Sequence, residues 1–406
     1  MTTHIMEESC DVLVVGGRVA GSSVGLHLAR HGHRVSLIER SQTLGPTLSS
    51  HQMNMVASDC LQQWGLYDDL LKTDCPGIGV MAFDIGDVSF ATAVPGMGSI
   101  HQLHYCKRKV LDELLLKQAC KEGVSLSMGT RFKSILEQDD TGVVAAIEDA
   151  DGLERRVRAA FVVGADGRNS TVAKAIDAPS YDVMTERAIM CFAYYDAALT
   201  DRLDIYMRND KSVALFPTNE GQTCLVLAYQ IRGGEIEALP KEVFLSQAIA
   251  DISGVMRKLE VAPEPAAVYR FNGAEGFFRQ PYVGRCALVG DAGYFRDPII
   301  GDGIADAFLS AELLAVQLSR ALKEGSHEEM LAIYKEVRDR HFRQAYERTR
   351  RLLRFDYDFE GLNAKLASMP DGGTMLKKIF DQLLNGNRRS RKDLFDTLAR
   401  TVLEIA

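Results

Sequence analysis

The first apolar run of the chain ends in a glycine-rich turn. Val12 to Val15 are apolar without alternation, which predicts a strand buried on both faces of a parallel sheet. Gly16, Gly17 and Gly21 follow, and the next residues carry the apolar spacing of a helix. The segment therefore predicts a strand, a tight turn and a helix in immediate succession.

This strand–turn–helix unit is a candidate dinucleotide-binding site. Gly16 permits the tight turn, Gly21 lets the helix pack closely on the strand, and the helix N-terminus offers N–H groups to a pyrophosphate. A second strand, Arg34 to Glu39, ends 23 residues after Gly16, where a carboxylate can bind a ribose hydroxyl. Arg18 occupies the middle-glycine position of G-x-G-x-x-G. A unit that binds no ligand is the structural alternative.

Composition narrows the class of protein. The chain has 406 residues, of which 46% are apolar and 25% charged, so we expect a globular protein of two or three domains. A formal net charge of −8 argues against nucleic-acid binding through bulk charge. Since no apolar run reaches about 18 residues and the start lacks a secretory apolar region, we expect no membrane span and a cytoplasmic location.

The eight cysteines are scattered along the chain, and none belongs to a C-x-x-C pair. This pattern favours reduced thiols, most of them small core residues, over a disulfide framework or a zinc site. We therefore expect no metal.

Two later apolar runs also end in glycine and aspartate. Phe161 to Val163 precede Gly-Ala-Asp166-Gly, and Cys286 to Val289 precede Gly290 and Asp291. Open α/β sheets bind ligands at the carboxyl ends of their strands, so both aspartates are candidate ligand contacts.

A loop that contains Pro298, Gly301 and Gly303 follows the third run. It leads into a helix predicted from Ile304 to about Lys323. This is a second candidate cradle for an anion or ligand.

The remaining pattern predicts further elements. It favours one helix around Ala57–Leu71, an amphipathic helix from Arg108, and a strand at Leu153–Arg158 that is separate from Phe161–Val163. After Gly325 the pattern is helical to the end of the chain and carries a run of arginines. A solvated helix face balanced by nearby acids is favoured over a phosphate-binding or partner-binding patch for this run: Arg338, Arg340, Arg343, Arg348, Arg350, Arg351 and Arg354.

Together, the three glycine-containing motifs resemble the FAD-binding fold of class A flavin monooxygenases, the para-hydroxybenzoate hydroxylase type. Flavin-dependent halogenases and geranylgeranyl reductases belong to the same superfamily. The resemblance implies an α/β fold (α+β overall), with a Rossmann-like FAD-binding domain, an inserted β-rich substrate domain and a helical C-terminus. The implied domains are 1–75, 105–180 and 281–325 for FAD, 76–104 and 181–280 for substrate, and 326–406 for the helical region.

The resemblance also implies residue roles. Glu39 would bind the adenosine ribose, Arg108 would lie on the pyrophosphate side, and Asp291 would bind the ribityl chain. Asp166 would help to hold the pyrophosphate and the nicotinamide donor; a turn residue is its structural alternative. Pro298, Gly301 and Gly303 would lie along the isoalloxazine ring. The other implied cofactor contacts are Gly16, Gly17, Arg18, Ala20, Gly21, Arg40, Gly290 and Ile304.

The implied function is an FAD-dependent monooxygenase that hydroxylates an aromatic or polycyclic small molecule through a flavin C4a-hydroperoxide. His51 and Pro298 are its candidate catalytic residues, although His51 can equally be a core or capping histidine. An isoprenoid double-bond reductase and a non-enzymatic flavoprotein are alternatives. A halogenase is disfavoured, because its W-x-W-x-I-P motif needs two tryptophans and the chain has only Trp64.

A substrate pocket and an electron donor complete the hypothesis. Tyr and Phe residues are frequent between 188 and 271, as in the wall of an apolar pocket, although about half of them can fill an ordinary core. The chain carries one full dinucleotide motif, so NAD(P)H would visit the flavin near Asp166 and Arg168. A separate flavin reductase is the alternative donor.

Overall fold

The structure is a computed structural model, and it describes residues 7–49, 51–369, 374, 377–378 and 390–405. Its helices are α1 (Val19–Arg30), α2 (Met55–Gln63), α3 (Tyr67–Leu71), α4 (Arg108–Lys121), α5 (Thr171–Ala175), α6 (Lys241–Ile249), α7 (Ser253–Leu259), α8 (Gly303–Glu324), α9 (His327–Leu352), α10 (Phe359–Ala367) and α11 (Arg391–Ile405).

Its strands alternate with these helices in the order expected of a mixed α/β chain, which confirms the predicted fold class. They are β1 (Glu7–Val15), β2 (Val35–Glu39), β3 (Gly77–Ile78), β4 (Val80–Asp84), β5 (Ser89–Ala93), β6 (Leu103–His104), β7 (Ser125–Met128), β8 (Arg131–Gln138), β9 (Val143–Glu148), β10 (Glu154–Gly164), β11 (Ser180–Met184), β12 (Ala188–Tyr195), β13 (Leu203–Met207), β14 (Lys211–Pro217), β15 (Thr223–Gln230), β16 (Val268–Phe271), β17 (Gly276–Arg279), β18 (Tyr282–Val283), β19 (Cys286–Leu288) and β20 (Tyr294–Phe295).

The first sheet carries the three glycine motifs. β1 lies between β2 and β10 and is parallel to both, and β19 pairs in parallel with the far side of β10. The carboxyl ends of β1, β10 and β19 therefore meet at one edge of the sheet. α1 packs on both α4 and α8 beside this sheet.

One predicted break between strands is wrong. Leu153–Arg158 and Phe161–Val163 belong to the single strand β10, whose first half pairs antiparallel with β9. Buried and exposed residues alternate along the first half of β10, whereas the second half is continuously buried. In this second half, the strand lies between β1 and β19. The change of pattern marks a change of environment along one strand.

The predicted helix Ala57–Leu71 is interrupted as well. Gly65 has a φ of +73°, and the N–H of Leu66 bonds back to the carbonyl of Leu61 at 2.8 Å, which ends α2 before α3 begins. The C-terminal pattern also breaks: residues 353–358 are not helical, and Asp358 then caps α10.

The second sheet draws strands from both β-rich segments. Its order is β16–β12–β15–β14–β13–β4–β5, and the parallel pairing of β13 with β4 joins the two segments. One face packs toward the first sheet, whereas the other face packs on α6 and α7. β3 pairs instead with β6, and β11 pairs with β17 and, through it, with β20.

The arginines of α9 mostly pair with acids, in agreement with the favoured interpretation. Arg340 pairs with Glu336, Arg348 with Asp302, and both Arg343 and Arg350 with Asp182. Arg338 differs, because it is fully buried.

The buried Arg338 guanidinium is held by backbone and side-chain oxygens. It donates to the carbonyl oxygens of Gly293 and Arg279, each at 3.0 Å, to the Tyr181 hydroxyl at 2.9 Å and to Asp339 at 2.6 Å. It thereby fixes α9 against the strand ends that surround the third glycine motif.

Arg338→Ala should lower the free energy of unfolding by about 3 kcal/mol or more, because the buried acceptors lose their guanidinium donor and Asp339 loses its counter-charge. Arg340→Ala removes an exposed ion pair of the same helix and should cost about 1 kcal/mol or less. Urea unfolding followed by circular dichroism compares the two variants. Equal losses would contradict a structural role for the buried guanidinium.

Candidate functional site

The first glycine motif forms a turn that only glycine fits. Gly16 has a φ of +109°, and a Cβ on it would lie 2.6 Å from the carbonyl oxygen of Ala165. A Cβ on Gly21 would lie 1.7 Å from the carbonyl oxygen of Gly16. Close packing of α1 on β1, and of the second motif on the first, therefore depends on both glycines.

The third motif approaches the same point. A Cβ on Gly290, whose φ is +58°, would lie 2.8 Å from the Cβ of Ala20. Ala20 in the first turn of α1 and the turn after β19 are thus in close contact. The structure brings all three motifs together, as their order in the sequence suggested.

The N-terminus of α1 is suited to an anion. Arg18 is the N-cap residue but forms no side-chain cap hydrogen bond, and the first turn carries no acidic residue. Backbone N–H groups and the positive end of the helix dipole therefore face the cradle.

Two guanidinium groups share one buried carboxylate beside this cradle. Asp112 of α4 is fully buried and accepts from Arg18 at 3.0 Å and from Arg108 at 3.0 and 3.2 Å. Two positive charges on one negative charge leave an excess of one positive charge. This excess complements a pyrophosphate.

Glu39 lies at the end of β2, as predicted, against the glycine turn. Its buried carboxylate accepts from the N–H of Gly17 at 2.8 Å and from the N–H of Ser41 at 2.9 Å. Each oxygen keeps further accepting capacity. The neighbouring Arg40 is exposed.

Asp166 is engaged in local structure. Its carboxylate accepts from the hydroxyls of Ser170 and Thr171 at 2.5 and 2.6 Å, and from the backbone N–H groups of Thr171 and Val172. These bonds hold the start of α5 and fix the loop that carries Ala165. Asp166 therefore stabilises its own turn, and its contacts with the pyrophosphate and the nicotinamide donor stay a prediction.

Asp291 projects into the cleft at the end of β19, where its side chain is exposed. The protein around the cleft partly desolvates the carboxylate and raises the pKa of Asp291 to about 6; Asp306 adds to this, while Arg108 and Arg168 oppose it. A carboxylate in this position can accept hydrogen bonds from a polyol chain.

The loop before α8 is anchored by a buried arginine. Arg296 donates to Asp306 at 2.8 Å, to Asp302 at 2.9 Å and to the Thr349 hydroxyl at 3.0 Å. These bonds fix the loop that carries the predicted flavin contacts. Those contacts are Pro298 in a 3-10 turn, Gly301 with a φ of +80°, Gly303 at the first position of α8, and the buried Ile304.

A segment that the sequence did not assign lies on this loop. A Cβ on Gly301 would meet the Gln52 side chain, and Asn54 donates to Asp302 at 2.6 Å. Asn54 also caps α2 through the N–H of Ala57. The segment after β2 therefore covers the loop and brings His51 to it.

Asp297 ties the same loop to the second sheet. Its carboxylate is 1% exposed and accepts from the N–H of Ala188 at 3.0 Å and from the N–H of Ile299 at 3.1 Å. Burial raises the pKa of Asp297 to about 6, although the hydrogen bonds from the two backbone N–H groups act to lower it. The start of β12 is thereby fixed to the loop.

His51 is a buried residue with a φ of +53°. Its Nδ1 accepts a long hydrogen bond of 3.4 Å from the N–H of Arg108, and its Nε2 contacts the hydroxyl of Tyr194. The tautomer in which Nδ1 accepts from Arg108 carries the ring proton on Nε2, toward the Tyr194 hydroxyl. Burial, with Arg108 and Lys107 nearby, lowers the pKa of His51 to about 3, so the ring is neutral.

The His51–Tyr194 pair continues into an aromatic surface on the inner face of the second sheet. The rings of His51 and Tyr194 stack at a centroid distance of 5.2 Å, and those of Phe192 and Tyr269 at 4.8 Å. Tyr194, Tyr269 and Phe271 are partly exposed. We call Phe192, Tyr194, Tyr269 and Phe271 the aromatic wall.

Only part of the predicted aromatic set reaches this face. Phe216 also packs inward, whereas Tyr195, Tyr206 and Tyr229 pack on the other face against α6 and α7. Successive side chains of a strand point to opposite faces of the sheet, so the neighbours Tyr194 and Tyr195 lie on different faces.

Arg168 connects the aromatic wall to the second motif. Its guanidinium lies 5.9 Å from the ring centre of Phe271 and 5.5 Å from that of Phe295. Its positive charge also lowers the pKa of Asp291, so the two side chains lie near each other.

These residues fit FAD. The glycine turn leaves no room for a Cβ, the paired guanidiniums supply excess positive charge beside a helix N-terminus, and Asp291 is exposed in the cleft. Arg18 and Arg108 would hold the pyrophosphate, Glu39 the ribose and Asp291 the ribityl chain. When bound, the flavin would supply the redox chemistry.

Residues 9–349 match the family described as FAD binding domain, and the chain belongs to this family. This confirms the resemblance to the class A flavin monooxygenase superfamily and FAD as the cofactor.

Relatives of known name carry different activities. The chain is 28% identical over 346 residues to aklavinone 12-hydroxylase RdmE of Streptomyces purpurascens. The aligned region covers 77% of this chain and 63% of that enzyme. The chain thus spans less than two thirds of RdmE. It is 27% identical over 332 residues to the digeranylgeranylglycerophospholipid reductase of Methanosarcina mazei, covering 79% and 77%.

A solved structure shows the same fold. The myxobacterial chondrochloren halogenase CndH has a TM-score of 0.75 at 19% identity, over 93% of this chain and 90% of that chain. Across the described ranges of our chain, none of the helices combines the length and apolar character that a membrane crossing requires.

Gly21→Ala should lower FAD affinity at least about tenfold, because the added methyl group forces α1 away from β1 and misaligns its N-terminus. Gly79→Ala is the matched control, since a Cβ there meets open space. FAD titration followed by flavin fluorescence measures both, with circular dichroism to verify folding. Unchanged affinity in folded Gly21→Ala protein would contradict this cradle.

His51 should make stability depend on pH. The folded pKa lies below the unfolded value of 6.5, so its contribution is full above pH 6.5 and is lost as pH falls toward 3. His51→Gln should therefore show a shallower loss of unfolding free energy between pH 6.5 and 4 than the wild type. Parallel profiles would show that His51 is not held neutral.

Proposed function

We propose that this protein is an FAD-dependent monooxygenase that hydroxylates an aromatic or polycyclic small molecule and uses NAD(P)H as reductant. The observation that carries the proposal is the aromatic wall with its His51–Tyr194 pair, which lies beside the segment that covers the flavin loop. A flat apolar surface with one oriented polar group is suited to a ring that bears an oxygen substituent.

The bound flavin would activate molecular oxygen for transfer to an electron-rich carbon. The chain's own residues bind and orient. The Tyr194 oxygen accepts the Nε2 proton of His51, which leaves the Tyr194 O–H free to donate to a substrate oxygen. We propose that His51 orients Tyr194 rather than acting as a base, because its Nδ1 accepts from Arg108 and burial lowers its pKa to about 3. The pair therefore orients the substrate and does not remove its proton.

The electron donor is proposed to bind near Arg168. Its guanidinium lies over Phe271 and Phe295 and near Asp291, where it can bind a phosphate of NAD(P)H. Anaerobic mixing with NADH or NADPH, with and without substrate, distinguishes this from a partner reductase. If neither bleaches the flavin at the turnover rate and an added reductase restores activity, direct reduction is wrong.

Reduction of isoprenoid double bonds is the second candidate, supported by the similarity to the Methanosarcina mazei reductase. A panel of phenols, polycyclic aromatics and prenyl lipids separates the two. A hydroxylase consumes oxygen, and its product gains one oxygen atom from labelled O2. A product that gains hydrogen atoms without oxygen would establish the reductase. Absence of substrate-stimulated turnover across the panel would support a flavoprotein without this activity.

Tyr194→Phe should lower kcat/KM about 5- to 100-fold and divert reduced flavin to hydrogen peroxide, because the substrate loses one orienting hydrogen bond. Tyr195→Phe is the matched control on the outer face of the same strand. Product and peroxide are measured in parallel at equal FAD occupancy. Equal coupling in the two variants would remove Tyr194 from the site.

A further inference from the structure

Cys75 and Cys106 lie at corresponding positions, each two residues beyond the end of a short antiparallel ladder. β3 and β6 pair with Gly77 opposite His104 and Ile78 opposite Leu103. Continuing this register by two residues sets Cys75 opposite Cys106. Opposed residues of antiparallel strands have Cα atoms about 4.5–5.5 Å apart, within the range of about 4.4–6.8 Å that a disulfide requires.

The two sulfur atoms also interact. Both cysteines are free thiols, and each one shifts the pKa of the other, as expected of neighbouring sulfur atoms. The Sγ of Cys75 contacts the carbonyl oxygen of Pro76, and the Sγ of Cys106 that of Lys107. Cys106 is fully buried, whereas Cys75 is 7% exposed. Cys191 and Cys224 also lie on paired strands but face Leu227 and Tyr194. Register thus distinguishes the first pair from the second.

The surroundings divide the roles of the two thiols. The neighbouring Cys106 thiol, followed by His104, lowers the pKa of Cys75 against the effect of burial. The neighbouring Cys75 and burial raise the pKa of Cys106. His104 is in turn held by the Tyr67 hydroxyl at 2.9 Å. A thiolate beside a protonated thiol is the arrangement of an attacking and a resolving cysteine.

We propose that Cys75 and Cys106 form a redox-active dithiol that hydrogen peroxide converts into a disulfide. The Cys75 thiolate attacks one peroxide oxygen, the O–O bond breaks, and hydroxide leaves a sulfenic acid on Cys75. The Cys106 sulfur then attacks the Cys75 sulfur, the S–S bond forms, the S–O bond breaks, and water leaves. The two thiols lose two electrons, and peroxide is reduced to two water molecules.

The dithiol adjoins the cofactor and substrate sites. Cys106 lies two residues before Arg108, and the intervening Lys107 donates its N–H to Asn219 at 2.8 Å. On the other strand, Asp74 accepts from the Asn219 side chain at 2.6 Å. A disulfide would therefore link covalently two segments that already meet at Asn219.

Peptide mapping tests the proposal on the FAD-loaded protein. The protein is treated with stoichiometric hydrogen peroxide, alkylated and digested with trypsin. Both cysteines fall in one tryptic peptide, residues 73–107. We expect this peptide without alkyl groups and lighter by two hydrogen atoms. Further cleavage before Asp84 should leave two halves joined until dithiothreitol is added.

Variants separate this linkage from general oxidation. Cys75→Ser and Cys106→Ser should each abolish the linked peptide, whereas Cys191→Ser, which removes another fully buried thiol, should retain it. His104→Asn should slow disulfide formation several-fold and move the midpoint of its pH profile upward. Full alkylation of both cysteines after oxidation would overturn the proposal, as would a sulfinic acid on Cys75 without a disulfide.

Discussion

The close approach of three backbone turns at one edge of the first sheet is the constraint on which the candidate site depends. The carbonyl of Gly16, the start of α1, the turn at Ala165 and the turn at Gly290 lie so close together that a single Cβ would separate them. This proximity concentrates backbone N–H groups and strand-end acids from distant parts of the chain in one cleft. The aromatic face of the second sheet can serve as a substrate site only if these strand ends of the first sheet stay in place.

Two groups of buried charges beside the cleft are balanced in opposite ways: in one an acid pairs with two arginines, and in the other an arginine pairs with two acids. One buried carboxylate, Asp112, holds two guanidiniums, so that positive charge is left over where a pyrophosphate would bind. At the loop before α8, the buried Arg296 guanidinium pairs with two carboxylates, those of Asp302 and Asp306. Asp302 also pairs with Arg348 of α9. Buried charges are costly unless they are paired. The excess positive charge thus lies beside the anion cradle, whereas the charge of Arg296 is balanced by buried acids.

Local pattern was sufficient to predict the three motifs, the end of β2 at Glu39 and the mixed α/β class. It failed where environment changes within one element, as along β10, and where one glycine ends a helix, as at Gly65. Asp112 was overlooked, although its spacing of four residues from Arg108 on a helix was available as a signal. The contact between His51 and Tyr194 joins residues 143 positions apart. No local pattern encodes such a pairing, because it arises only when the second sheet docks.

The two backbone hydrogen bonds of Asp297 have a mechanical consequence. One carboxylate holds both the first residue of β12 and the turn at Pro298, so strand and loop behave as one rigid unit. At this end, the aromatic wall cannot move outward to accommodate a larger ring unless the cofactor-facing loop moves with it. Evolutionary change in ligand size should therefore accumulate at the opposite margin of the sheet, where β4 and β5 are free of this tether.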